Sequence, residues 1–275
     1  MVTDGLLEGQ LMWNTPLLVG LIGIAVIYSL FVHRVTEIKL YQKQPLLFIF
    51  SLVLLYVSIG SPLTTISHLS FSLHMIQMSI LYFIVPPILL LGTPCNLFQR
   101  IRGIPIVNVV TKWFLFPRIA LFVFAILFFM YHLPEVLKAF SQDSFLHNGY
   151  IFVLLILSFG MWWPIVSPDP RQRFDKRTKK QFAVLSGVLL MPACLLFIFS
   201  ALIDGLNNPF LTQLTAHLCI PSQSFSLNIL PPPFNTKYDQ AIAGLIMLGI
   251  HKISLTATTR LQSASSNTQV EKEGI

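Results

Sequence analysis

The sequence predicts an all-α membrane protein, a polytopic bundle of about seven transmembrane helices with its N-terminus outside and its C-terminus inside. The composition is the first reason. Of 275 residues, 54% are hydrophobic and 11% are charged, and the mean hydropathy is +0.72, which is too apolar for an ordinary soluble domain. The second reason is that the apolar residues form discrete runs near the ~20 residues that a helix needs to cross a bilayer. The third is the distribution of basic residues between these runs.

Seven apolar runs fit this description and form a single transmembrane domain over residues 1–261. They lie near residues 15–32, 45–60, 71–92, 117–133, 147–166, 182–203 and 238–257. The segment from Asp204 to Lys237 contains Pro231-Pro232-Pro233 and predicts an extended loop on the outer side. Residues 262–275 are rich in Ser, Asn and Glu, a composition that predicts a disordered cytoplasmic tail.

The basic residues give the orientation. All but two of the 18 Lys and Arg residues follow the first, third, fifth or seventh run, and the exceptions are Lys138 and Lys237. Because cytoplasmic loops carry an excess of basic residues, these four segments are predicted to lie inside. The net charge of +7 therefore reports topology and not a nucleic acid partner. The basic run from Arg171 to Lys180 is also expected to attract anionic membrane lipid.

The third run contains Pro86-Pro87. Two adjacent prolines remove two N–H donors from a helix and should kink it. We expect neighbouring helices to satisfy the carbonyls that the prolines leave without a donor.

Three histidines are predicted to meet at the outer ends of neighbouring helices. His74 lies in the first turns of the third run, His132 in the last turn of the fourth and His147 at the start of the fifth. Antiparallel packing would bring these imidazoles to one depth, and polar groups within a span usually face the bundle interior and a partner. Met78 shares the face of His74 one turn deeper. Imidazole and thioether ligands on an oxidising side favour copper, as Cu(I) or Cu(II).

Weaker candidates surround this set. Met75 and Met130 lie at similar depth, His68 and His217 lie in outer loops, and Asp239 opens the seventh run, where it could orient a ligating imidazole or cap the helix. Simpler interpretations stay open at this point. A histidine at a helix end also serves as an interfacial residue bonded to water or backbone, and a methionine in an apolar helix usually packs.

Enzyme templates are missing from the sequence. It contains no H-E-x-x-H, G-x-S-x-G or P-loop motif. Its three cysteines, Cys95, Cys194 and Cys219, contain no C-x-x-C pair. The sequence therefore does not predict an enzyme.

Four segments carry a family resemblance: HMIQMSILYFIVPPILLLGTP from His74, YHLPEVL from Tyr131, WWP from Trp162 and YDQAIAGLIM from Tyr238. Together they resemble the CtaG family of membrane proteins needed to assemble caa-type cytochrome c oxidase in Gram-positive bacteria. The resemblance implies a bacterial cytoplasmic membrane protein that supplies or protects copper during maturation of the oxidase, with oxidase subunits carrying copper centres as partners.

Carried over to this chain, the resemblance points to His74, His132 and His147, with Asp239 as a polar neighbour. Many family members have a second histidine where this chain has Met78. That difference either gives a His/Met pair that favours Cu(I) or means that Met78 is not a ligand.

Other functions remain compatible with the residues. A haem-binding cytochrome could use His74 with His132 or His147 as axial ligands, and a metal-free scaffold for oxidase assembly would use the histidines only as interfacial groups. A permease is disfavoured because the spans lack ionisable residues near their midplanes. The sequence also leaves a homo-oligomer open.

Overall fold

A computed structural model describes residues 13–36, 39–67, 70–105, 109, 116–203, 234 and 236–273 of the protein. The regular elements of these residues are all helical, with no β-strand among them. We number the α-helices in chain order: α1 Thr15–Val35, α2 Lys43–Ile59, α3 Leu63–Ser67, α4 Phe71–Ser79, α5 Val85–Gly92, α6 Cys95–Ile101, α7 Pro117–Tyr131, α8 Pro134–Gln142, α9 Ser144–Val166, α10 Lys176–Ile203 and α11 Lys237–Glu273. A π-helical segment, Ile80–Ile84, joins α4 to α5, and a 3₁₀ turn, Pro170–Gln172, precedes α10.

Five helical segments are long and apolar enough to cross a membrane. They are Thr15–Arg34, Phe71–Gly92, Phe145–Val166, Lys176–Ile203 and Lys237–Gln262. The other two expected spans correspond to the shorter apolar helices Lys43–Ile59 and Pro117–Tyr131. At ~1.5 Å per residue these two helices are about 22–26 Å long, short of a ~30 Å hydrocarbon core. The all-helical membrane class is thus supported, while the count of seven spans and the orientation stay predictions.

Local sequence explains where several helices begin. The side chain of Asn14 accepts a hydrogen bond from the N–H of Leu17 at 3.0 Å, with Pro16 in the first turn of α1. Asp143 caps α9 by accepting from the N–H groups of Phe145 and Leu146. These side chains satisfy donors that have no partner inside the helix.

The chain between α10 and α11 lies mostly outside the described residues. The predicted outer loop from Asp204 to Lys237 belongs there, except for its last few residues. α11 is helical to Glu273, so the structure has helix over most of the segment for which a disordered tail is predicted. An α-helix that has already nucleated adds residues at little cost, which explains how the preceding span extends into a polar sequence.

Close backbone contacts at two glycines bring helices together. A Cβ atom added to Gly92 would lie 2.5 Å from the backbone nitrogen of Phe48, so α5 and α2 pack in direct contact. A Cβ added to Gly244 would lie 2.6 Å from the carbonyl oxygen of Cys194, where α11 meets α10. Small residues permit such close packing of helices in membranes.

The third span is interrupted as the adjacent prolines predict. In an α-helix, the carbonyls of Tyr82 and Phe83 would accept from residues 86 and 87, which are both proline. Instead, the indole Nε1 of Trp162 in α9 donates to the Tyr82 carbonyl at 3.0 Å, and the hydroxyl of Ser254 in α11 donates to the Phe83 carbonyl. The expectation that neighbouring helices satisfy these carbonyls is confirmed.

Candidate metal centre

The three predicted histidines lie at helix ends that meet at one end of the bundle. His74 is the fourth residue of α4, His132 immediately follows α7, and His147 is the fourth residue of α9. The backbone N–H of His74 donates to the carbonyl of Ser70, which places its imidazole one turn from the start of α4. The antiparallel arrangement therefore brings these three residues to a common level, as expected from the sequence.

His132 is the most constrained of the three. Its side chain is completely buried, and its Nδ1 lies 2.7 Å from the carbonyl oxygen of Phe128. Because a carbonyl can only accept, Nδ1 carries the proton and Nε2 presents a lone pair. Within the described part of the chain, this buried Nε2 has no hydrogen-bond partner. A histidine that donates through one nitrogen and offers the other is the form that metals bind.

His74 lies beside His132. Their ring centroids are 6.3 Å apart and the rings are inclined at 64°, and the His74 side chain is buried. A metal–nitrogen bond of ~2.0 Å plus the ring radius of ~1.2 Å allows imidazole centroids up to ~6.4 Å apart on one ion. The observed separation fits that limit only for ligands on nearly opposite sides of the ion. Two-coordinate binding of this kind is known for Cu(I).

His147 joins this pair through Tyr131. The ring of Tyr131 stacks against His74, with centroids 5.8 Å apart, and against His147, with centroids 5.9 Å apart. The Tyr131 hydroxyl also lies 2.8 Å from Nε2 of His147. In this arrangement the Nε2 atom of His147 is engaged by the tyrosine, and ligation through that atom would require the hydrogen bond to break.

Among the described residues, no group of three His, Cys, Asp or Glu side chains is arranged to hold a metal ion. The structure thus brings His74 and His132 together and keeps His147 at the far side of Tyr131. Methionine is a further residue type whose sulfur can bind a soft metal ion.

The methionines divide into two groups. Met78 and Met75 are almost completely buried in the main apolar cluster, which also contains Phe128 and Tyr131. Met130 instead has 42% of its surface exposed. Its side chain points out of the bundle, which makes it the weakest of the three as a ligand.

Asp239 holds the first turn of α4 in place. Its buried carboxylate accepts hydrogen bonds from the N–H of Phe71 at 2.8 Å, the N–H of Ser72 at 3.2 Å and the hydroxyl of Ser70 at 2.9 Å. A carboxylate at a helix N-terminus also complements the helix dipole. Asp239 on α11 therefore fixes the helix turn that carries His74. The other weak candidates, His68 and His217, lie outside the described residues.

Tyr131 is the residue that sequence reasoning missed. It is fully buried and lies against all three histidines. The signal was present, because Tyr131 directly precedes His132 within the segment YHLPEVL. A tyrosine in the last turn of an apolar helix is easily read as an interfacial anchor, and only packing shows that it faces inward.

Comparison with known proteins identifies the family. A family model described as cytochrome c oxidase caa3 assembly factor matches residues 9–260, nearly the whole chain. No curated protein and no solved structure gives a significant match. The family match agrees with the resemblance carried by the segments around His74, Tyr131, Trp162 and Tyr238. The chain therefore belongs to the family of cytochrome c oxidase caa3 assembly factors.

Proposed function

We propose that this assembly factor binds copper through His74 and His132 on the outer side of the bacterial cytoplasmic membrane and assists its delivery to the oxidase. One observation carries the proposal. The Nε2 lone pair of His132 is buried without a hydrogen-bond partner in the described part of the chain, while Nδ1 is held by the Phe128 carbonyl. A buried polar atom without a partner is costly, and a metal ion would offset that cost.

The ligand types support copper as the cargo. Two imidazoles and a nearby thioether suit Cu(I), whereas the hard cations prefer carboxylate and carbonyl oxygen. We assign His74 and His132 as the primary ligands and Met78 as a soft third ligand. His147 would exchange its bond to the Tyr131 hydroxyl for the ion when copper enters or leaves. Such a change of ligands suits a protein that passes a metal on and does not keep it.

The proposed recipients are the oxidase subunits that carry copper centres. Their copper faces the outer side of the membrane in this scheme, as do the helix ends that carry the histidines under the predicted orientation. The protein would act as a carrier in assembly and not as an enzyme.

A haem-binding cytochrome is the main alternative, since axial imidazoles could also be this far apart. The packing argues against it. The rings of Phe128 and Phe197 lie against His132, with centroids 4.5 and 5.3 Å from that of the imidazole. A porphyrin between the two histidines would have to displace these rings or Tyr131. A single ion is far smaller than a porphyrin and would disturb fewer of these contacts.

The decisive experiment compares the metal content of detergent-purified wild-type protein with that of His132→Ala and His74→Ala variants. His33→Ala is the matched control, because His33 is an exposed histidine in the last turn of α1 and is not one of the proposed ligands. The wild type and control should bind copper, and the two site variants should lose it together with metallation of the oxidase in cells. Normal copper content in both site variants would refute the proposal. A Soret absorbance band lost in the same variants would favour haem, and oxidase assembly that is independent of both histidines would favour a metal-free scaffold.

A further inference from the structure

A second polar feature lies on α10 and α11, at the end of these helices that is away from the candidate metal centre. A cavity of about 580 Å³ opens between the start of α10 and the later turns of α11. Its volume falls within the ~300–1,000 Å³ typical of ligand-binding pockets. The cavity does not involve the histidines, and the proposed copper chemistry makes no use of it.

Three lysines line this cavity. They are Lys176, Lys179 and Lys180, in the first turns of α10. Nζ of Lys179 donates to the side-chain oxygen of Gln262 at 2.6 Å, which draws one lysine across the cavity to α11. Within the described residues, Lys176 and Lys180 form no ion pair. The cavity therefore concentrates positive charge that no carboxylate among the described residues pairs with.

The nearest carboxylate does not change this balance. Asp175 caps α10 by accepting from the N–H groups of Arg177 and Thr178. The hydrogen bond that it accepts from the Thr178 hydroxyl, together with these N–H groups, holds the pKa of its carboxyl below the usual value. Because Asp175 already occupies the first N–H groups of the helix, the lysine ammonium groups are the donors available to an anion. The hydroxyls of Thr256 and Thr259 on the opposite wall donate to carbonyls of their own helix.

The floor of the cavity is apolar. It is formed by Ile165 from the end of α9, Ala183 from α10 and Leu255 from α11, and Ile165 is almost fully buried. The three lysines lie where the apolar part of α10 begins. In a membrane-spanning helix, this point is at the level of the lipid headgroups. A ligand with a phosphate at one end and hydrocarbon at the other matches both parts of the cavity, whereas free phosphate matches only the lysines.

We propose that this cavity binds the phosphate headgroup of an anionic glycerophospholipid, with the lipid's glycerol and proximal acyl carbons against the apolar floor. The lipid would link α10 to α11 at the membrane surface. This goes beyond a general attraction of basic loops to the membrane, because it assigns one defined site to three particular lysines.

The test uses the full chain reconstituted in phosphatidylcholine vesicles that contain a small fraction of spin-labelled lipid, either phosphatidylglycerol or phosphatidylcholine. The motionally restricted fraction measures lipid bound to the protein. The wild type should prefer phosphatidylglycerol about fivefold or more, since each nearby cation contributes roughly a fivefold preference. Changing all three lysines to Gln should remove most of this preference, and changing all three to Arg should retain it.

A charge-matched control separates the cavity from the general surface field. Arg34→Gln, Lys39→Gln and Lys43→Gln together remove three cations from the same predicted membrane face and should leave the preference intact. Ala183→Trp fills the cavity floor without changing charge and should lower the preference. The proposal is overturned if the wild type shows no preference, if the Gln variant keeps it, or if the control loses as much. It is also overturned if inorganic phosphate displaces the labelled lipid completely, which would indicate a soluble anion as the ligand.

Discussion

Replacing Asp239 by Asn should destabilise the protein and weaken its proposed copper site together. The carboxylate has two oxygens, each of which accepts from one backbone N–H of α4 and from the Ser70 hydroxyl. Asparagine keeps one acceptor oxygen but presents an NH₂ group in place of the other. Either Phe71 or Ser72 then has a buried N–H that faces another donor.

The cost can be worked from these contacts. A hydrogen bond to a charged group contributes about 1.5–3 kcal/mol, and leaving a buried donor without a partner costs ~1–3 kcal/mol. Asp239→Asn should therefore lower the free energy of unfolding by about 2–3 kcal/mol. For a chain of this size, that corresponds to a fall in Tm of roughly 5–10 °C. Asp239→Ala removes both acceptors and should cost more.

Thermal unfolding of the detergent-purified protein, followed by its loss of monodisperse elution, measures this effect. Glu135→Gln is the control, because Glu135 is an exposed carboxylate in the first turn of α8. Since His74 is one turn from the residues that Asp239 holds, the copper affinity of Asp239→Asn should also fall. A Tm for Asp239→Asn that equals those of the control and wild type would contradict this account of how α4 is held.

The remaining predictions concern packing, copper chemistry and topology. Gly244→Val should disrupt the contact between α11 and the Cys194 carbonyl, whereas the Cβ added in Gly249→Val meets nothing within 4 Å. Immunoblots of membrane fractions should therefore show less folded protein for Gly244→Val than for Gly249→Val. Copper affinity should decrease in acid, because protonated imidazole cannot bind a metal; competition titrations with a chelator between pH 8 and 3 test this, and a flat profile over that whole range would indicate sulfur ligands. Met78→Ala should reduce retention of Cu(I) more than that of Cu(II), measured by dialysis under reducing and oxidising conditions, and equal losses would remove Met78 from the ligand set. Reporter fusions should place the segment around Ser141, at the end of α8, outside the cytoplasm; a cytoplasmic result would invalidate the predicted orientation and the outer location of the metal site.

Helix positions could be read from the sequence because lipid leaves few alternatives for an apolar run. The predicted second span, residues 45–60, and the observed helix Lys43–Ile59 differ by only one or two residues at each end. The effect of Pro86-Pro87 was predictable for the same reason, since the missing N–H groups follow directly from proline chemistry. The identity of the donors was not, because Trp162 and Ser254 are distant in sequence and only packing brings them to these carbonyls.

For the candidate site, the positions of the three histidines along their helices were predictable, but their arrangement was not. The helix-end positions of His74, His132 and His147 follow from counting residues along each span. Which face each imidazole presents depends on rotation of the helices about their axes, and the apolar sequences on all sides of α7 and α9 give little indication of that rotation. As a result, Tyr131 between His74 and His147, and the role of Asp239 as a helix cap, became visible only in the structure.

The interrupted third span has a consequence for biogenesis. A helix that enters the bilayer alone must satisfy its own backbone, and an unsatisfied carbonyl in hydrocarbon costs several kcal/mol. The segment Phe71–Gly92 cannot meet this requirement for the carbonyls of Tyr82 and Phe83, because their hydrogen bonds come from α9 and α11. During synthesis, the third span is therefore incomplete until the last helix has been inserted, more than 160 residues later in the chain. Ribosome-released fragments that end before α11 should consequently insert less stably in the membrane. Quality-control proteases should degrade them faster than the full chain.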